Sequence, residues 1–170
     1  TTLRPVFRLV RTKKSTPIRQ TSFYQRFLKG GHRVNHFTYE DLFVGQRTAF
    51  TREVTAEMME QFRVVSGDDN PLHVSSEFAR AHGFSDRVVY GMLTAALYSC
   101  LAGMHIPGER CLLQSVYSDF LHPVYVGDTL RVEGTIAEKN DSVRQIVVKT
   151  VIRNQDGKKV SKARIEAGVL

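Results

Sequence analysis

The residues best able to do chemistry in this chain lie together in Ser66-Gly67-Asp68-Asp69-Asn70-Pro71-Leu72-His73. Asp68 and His73 are a carboxylate and an imidazole five positions apart. On one continuous helix those positions would point to different faces, but Pro71 cannot continue a helix, because it lacks the N–H and its ring clashes with the preceding turn. The Gly-Asp-Asp-Asn-Pro run reads instead as a tight loop. A loop can turn both side chains toward one spot, which is what acid–base chemistry on a single carbon requires. The same residues are also ordinary turn formers, and a histidine beside a turn is commonly just solvated. Taken alone, the stretch fits either reading.

The elements around it decide what it can be. Thr55 is a suitable N-cap for a helix over Ala56–Val65, with Met58, Met59, Phe62 and Val65 forming an apolar stripe that reads as core. Ser75 or Ser76 can cap a second short helix, Glu77–His82, ended by Gly83. Val88–Ile106 contains no Asp, Glu, Lys or Arg. Its length invites a membrane-spanning reading. Tyr90, Thr94, Ser99 and His105 interrupt it, Gly91 and Gly103 weaken it, and Pro107-Gly108 stops it. A helix apolar on all sides, buried inside a fold, is the better account.

Beyond Pro107 the pattern is that of strands. Cys111–Leu121 is β-prone, and Val126-Gly127-Asp128 is a turn. Thr129–Ile136 alternates, with Leu130, Val132 and Ile136 on one face and Thr129, Arg131, Glu133 and Thr135 on the other. Val143–Arg153 is rich in Val and Ile, and Asn154-Gln155-Asp156-Gly157 marks a hairpin. Lys159–Leu170 alternates again, with Ala163, Ile165, Ala167 and Val169 on one face. With a further strand over Arg47–Val54, the fold class is α+β: one long buried helix against a curved antiparallel sheet. One sheet and one helix leave a face or edge uncovered, so a homodimer is expected.

The formal charge of +7 is unevenly placed. Nine of the 24 Lys and Arg fall between Arg4 and Arg33, where no Asp or Glu occurs, so the remaining 15 face all 17 acidic residues. The basicity belongs to the N-terminal segment rather than to the body, which argues against a nucleic-acid-binding domain. Residues 1–36 are Arg-rich, hydroxyl-rich and acid-free, with Leu3, Val6, Phe7, Leu9 and Val10 set among basic residues. That is the composition of a mitochondrial targeting segment, leaving 37–170 as the domain. Two cysteines, Cys100 and Cys111, suggest neither a disulfide framework nor a metal site, and Cys100 reads as a buried thiol.

Gly67-Asp68-Asp69-Asn70-Pro71-Leu72-His73 resembles the G-D-x-N-P-x-H motif of the MaoC-like, hydratase-2 group of hot dog folds. Val88-Val89-Tyr90-Gly91-Met92-Leu93 resembles the second block of that group, which usually ends His-Gly-Met-Leu. Pro107-Gly108, Phe120, Pro123-Val124 and Val126-Gly127-Asp128 fit its later strands and turns. The resemblance covers roughly Phe43–Val169. The N-terminal stretch Phe7–Lys13 with Thr16–Arg19 is similar to the start of vertebrate mitochondrial dehydratases of this group, which serve fatty acid synthesis.

The resemblance implies a hot dog fold and a reversible, cofactor-free reaction with no metal. An (R)-3-hydroxyacyl thioester and its trans-2-enoyl thioester would be interconverted in the mitochondrial matrix. It assigns Asp68 and His73 as the catalytic pair, with His73 taking the C2 proton and Asp68 assisting departure of the C3 hydroxyl as water. The backbone N–H of Gly91, at a helix start, would stabilise the enolate-like carbonyl. Asn70, Ser99 and Tyr90 take supporting roles: Asn70 shaping the loop, Ser99 near the site, Tyr90 standing where the group usually has His. Ser75 is a second departure, at a position commonly acidic or amide. The acyl thioester would be carried by acyl carrier protein or by CoA, and Arg80 and Arg87 are candidates for a basic patch facing an acidic carrier. The alternatives are an (R)-specific enoyl-CoA hydratase and a non-catalytic acyl-thioester-binding hot dog protein.

Overall fold

The computed structural model describes residues 33–170; most of the expected targeting segment lies outside the described residues. Five strands form one antiparallel sheet: β1 Arg47–Glu53, β2 Cys111–Phe120, β3 Thr129–Asn140, β4 Gln145–Arg153 and β5 Lys159–Val169, in the order β1-β3-β4-β5-β2. The helices are α1 Ala56–Ser66, α2 Pro71–Val74, α3 Ser76–Ala81 and α4 Gly91–Cys100, the last continued by a π-helical turn, Leu101–His105.

The alternation in β3 becomes the core. Leu130, Val132 and Ile136 are fully buried, as are Ile146, Val148 and Ile152 of β4 and Ile165 and Ala167 of β5. All turn to the sheet face that receives Leu97, Tyr98, Leu101 and Ala102 from α4 and its π turn. Register slips at Leu113/Ser115 in β2 and at Ile136/Glu138 in β3 put an extra residue in one strand, which bends it and sharpens its twist. The expected curved sheet around a central helix is thus present.

The polar atoms of the core are paired, as burial demands. The Tyr98 hydroxyl donates to Ser161 Oγ at 2.7 Å, and Ser161 donates in turn to the Asp119 carbonyl at 2.8 Å. Burial pushes the Tyr98 phenol up to about 12.

The structure corrects the sequence reading in four places. Pairing begins ahead of Phe37, since Asn35 N–H donates to the Met104 carbonyl and His36 bridges to Gly108. Gly108 has φ +87°, and a Cβ there would fall 2.1 Å from the Asn35 carbonyl oxygen, so only glycine fits. Val65 is not core. It is 83% exposed, because the α1 stripe that meets the sheet side is Met59 and Phe62.

Finally, α4 is not buried on all sides. Met92, Ala96 and Ser99, at i, i+4 and i+7, are exposed. A helix packed on one sheet turns its far stripe outward whatever residues stand there. Cys100, expected buried, is half-buried; it and Cys111 are free thiols raised by desolvation. Among the described residues no helix is long and apolar enough to cross a membrane.

Candidate active site

The loop is assembled by local side-chain to backbone bonds. Gly67 takes φ +69° as the C-cap of α1, its N–H donating to the Arg63 carbonyl, the left-handed stop that glycine makes without strain. Asp68 Oδ1 accepts from Asn70 N–H at 3.0 Å, and Asn70 Oδ1 accepts from Leu72 N–H at 3.0 Å. Pro71 does not exclude a helix here. It occupies the first turn of α2, where its missing N–H has no cost, with Asn70 as the N-cap. That short turn is what carries His73 round. Ser75, the second departure from the motif, caps α3 through Phe78 N–H. Asp69 is ion-paired with Arg63 Nε, which fastens the loop to the end of α1.

His73 is half-buried, and its Nδ1 lies 2.7 Å from the Val88 carbonyl. A carbonyl only accepts, so Nδ1 carries a proton, and in the neutral form of the ring Nε2 presents a lone pair. That is the tautomer a general base acting through Nε2 needs. Val88 N–H bonds back to the Leu72 carbonyl, so the residue that orients the imidazole is itself tied to α2.

Tyr90 links Asp68 to His73. Its hydroxyl donates to the Asp68 carbonyl at 2.9 Å, and its ring centroid lies 4.1 Å from that of His73. At 2% exposure its phenol is raised, first by desolvation and then by the Asp68 charge. It therefore remains a donor.

A cleft of about 330 Å³ opens beside His73. Val89, Thr94, Val124 and Val160 make its buried wall, while Phe120, Leu121 and His122 lie on its exposed side. Gly91 lines it as the first residue of α4. That helix start has no side-chain cap, so the N–H groups of its first turn are open, and helix N-termini favour negative charge. A Cβ on Gly91 would stand 3.2 Å from the Phe120 ring, so glycine keeps that corner of the cleft open.

The structure therefore places His73 and Gly91 in one cleft. Asp68, on the loop ahead of α2, is exposed and is not among the residues that line the cleft; its Oδ1 is engaged by Asn70, and its Oδ2 takes no hydrogen bond from the described residues. Asn70 holds the turn into α2 through the bond its Oδ1 accepts from Leu72 N–H. Ser99 is exposed two turns along α4, about 12 Å from Gly91 at ~1.5 Å per residue, and does not line the cleft. Arg80 and Arg87, read as a candidate basic patch, are paired with Asp86 at 3.5 Å and Glu60 at 3.4 Å. Sequence reasoning missed His122. Its Nδ1 lies 2.8 Å from the Lys159 carbonyl, and no motif spacing marks it.

Comparison with known proteins gives a consistent result. Residues 44–158 match the family model of the MaoC like domain. An (R)-specific enoyl-CoA hydratase of Aeromonas caviae is 31% identical over 118 residues, 69% of this chain and 88% of that protein. A mitochondrial 3-hydroxyacyl-[acyl-carrier-protein] dehydratase of Arabidopsis thaliana is 38% identical over 87 residues, 51% of this chain and 51% of that protein. The chain thus spans about half the length of this plant relative. Among solved structures, an R-hydratase of Pseudomonas aeruginosa superimposes with a TM-score of 0.75 at 32% identity, covering 80% of this chain and 87% of that one.

Proposed function

The chain belongs to the MaoC-like domain family, and from that premise we propose that it is a hydro-lyase acting on (R)-3-hydroxyacyl thioesters. Its relatives are named dehydratases and hydratases. The observation that carries the reading is His73, locked by Val88 as a base and facing a cleft shared with the open start of α4.

In dehydration, His73 Nε2 removes the C2 proton. The electron pair passes toward the thioester carbonyl, whose growing negative charge meets the Gly91 N–H. As the pair returns to form the C2–C3 double bond, the C3–O bond breaks. The departing hydroxide takes from His73 Nε2 the proton that came from C2 and leaves as water, held by Asp68, so that the imidazole returns to its neutral form. Hydration is the reverse: Asp68 and His73 hold the water, its oxygen adds to C3 as one of its protons passes to His73 Nε2, and His73 delivers that proton to C2. No electrons are gained or lost overall, so the reaction consumes no redox partner.

The role we favour is dehydration on acyl carrier protein in mitochondrial fatty acid synthesis, in the matrix. The acid-free segment 1–36 and the plant relative's name support it. The bacterial relative's name favours the second reading, hydration of enoyl-CoA. A homodimer is part of the proposal. The exposed stripe of α4 and the apolar residues on edge strand β2, with Leu112 51% and Tyr117 65% exposed, are what a second copy would cover.

The test is hydration of crotonyl-CoA with chiral analysis of the product. Wild type gives (R)-3-hydroxybutyryl-CoA, and His73→Ala lowers kcat by roughly 10²–10⁴-fold. A product of S configuration, or equal rates, sinks the proposal. Crotonyl-acyl carrier protein assayed beside crotonyl-CoA ranks the two carriers by kcat/KM, and preference for CoA overturns the favoured role.

A further inference from the structure

The cleft contains a second imidazole with the same tautomer lock as the first. His122 Nδ1 lies 2.8 Å from the Lys159 carbonyl, so in the neutral ring Nδ1 holds the proton and Nε2 is an acceptor. Its main chain is anchored at the same place, since Leu121 and His122 N–H groups both donate to the Val160 carbonyl, at 2.8 and 3.3 Å. A flexible surface histidine would not be held at both its backbone and its ring.

The two imidazoles differ in depth. His73 is half-buried and lies beside the buried wall of Val89, Thr94, Val124 and Val160. His122 is exposed, between Leu121 and Pro123, which are also exposed. An acyl thioester entering this cleft is apolar at its acyl end and polar at its carrier end. Burial favours the acyl end against the valine wall, with the reacting carbons at His73. The polar arm then leaves past the rim.

Resting on the hydro-lyase reading above, we propose that His122 is a substrate-binding residue whose Nε2 accepts a hydrogen bond from an amide N–H of the thioester's carrier arm. The contact fixes the arm, and through it the direction of the carbonyl toward Gly91. It selects thioesters whose thiol bears an amide over simple alkyl thioesters.

The experiment uses the full chain and two crotonyl thioesters, one of N-acetylcysteamine, which carries an amide, and one of ethanethiol, which does not. His122→Ala is expected to lower the ratio of their kcat/KM values about tenfold, the scale of one net hydrogen bond. His122→Gln, whose carbonyl can accept in the same region, is expected to recover most of that ratio. An unchanged ratio, with both substrates losing equally, overturns the contact.

Binding supplies a readout that does not depend on turnover. The Kd of the saturated butyryl N-acetylcysteamine thioester, measured by calorimetry, should rise about tenfold in His122→Ala. Equal Kd values in wild type and variant overturn the proposal even where the hydro-lyase reading holds. Absence of turnover in wild type, with the Kd difference intact, overturns that reading and leaves the contact standing.

Discussion

The base role proposed for His73 depends on a carbonyl fifteen positions away. The His73 side chain alone does not say which nitrogen is free to accept a proton; the Val88 carbonyl does. Tyr90 acts at the same scale, holding the Asp68 main chain with its hydroxyl while its ring packs on His73. Tyr90→Phe keeps the ring and removes the bond. The expected result is a fall of roughly tenfold in kcat/KM, the size of one net hydrogen bond. Because the Tyr90 phenol is raised above its ordinary value, the folded state holds that proton more tightly than the unfolded chain. Its contribution is fully present below pH ~10 and fades only as pH rises through the shifted value. The loss should therefore be the same at pH 7 and pH 9 in steady-state assays; a loss confined to one pH would contradict the assignment.

Residues whose work is local were legible. Asn70, Gly67 and Thr55 act on atoms two to four positions away, and their types alone point to caps and turns. His122 was not legible. Its lock is the carbonyl of Lys159, 37 positions on, and nothing in the spacing of His122, Pro123 and Val124 encodes that approach. The Arg63–Asp69 pair was missed for a related reason: with two adjacent carboxylates, sequence does not tell which one is anchored.

At the scale of elements, the start of α4 is the critical feature. It combines uncapped N–H groups with a residue lacking Cβ, against the Phe120 ring. Gly91→Ala should force that ring to shift by a few tenths of an ångström and narrow the cleft. We expect kcat/KM to fall by ~10-fold or more while the fold is retained, since displacing one donor aimed at a developing oxyanion has effects up to about 10²–10³-fold. Circular dichroism and steady-state rates check the two halves of that statement. Gly134→Ala is the contrasting case. Its Cβ would meet Leu101 at 2.9 Å and Val148 at 3.2 Å inside the core. It should cost about 1–3 kcal/mol of stability, the usual scale of overpacking, read from urea midpoints. The strands were readable because β3 alternates with period two. The exposed stripe of α4 was not, since Met92, Ala96 and Ser99 are as uncharged as the stripe that is buried.

At the scale of the molecule, one sheet closed on one side by helices leaves β2 as an edge strand with Leu112, Val116 and Tyr117 exposed. Unpaired edges with apolar side chains invite a second copy. Val116→Lys, placed in the middle of that edge, should shift the protein from dimer to monomer in light scattering after size exclusion; a wild type already monomeric at micromolar concentration contradicts the dimer. The basic, acid-free segment belongs to this scale as well. Deleting residues 1–32, which stops short of the Asn35 and His36 pairings, should leave kcat/KM unchanged while moving the protein from mitochondria to cytosol. Retained import would contradict the proposed targeting role.

Whether Asp68 takes part in a hydro-lyase reaction is read by following the enoyl absorbance of crotonyl-CoA with wild type and Asp68→Asn side by side. Asparagine keeps the loop's shape and its bond from Asn70 N–H while removing the charge. Steady loss of absorbance is expected with wild type, and a fall of about 10²–10⁴-fold with the variant. No turnover by wild type, or a variant as fast as wild type, would contradict that role.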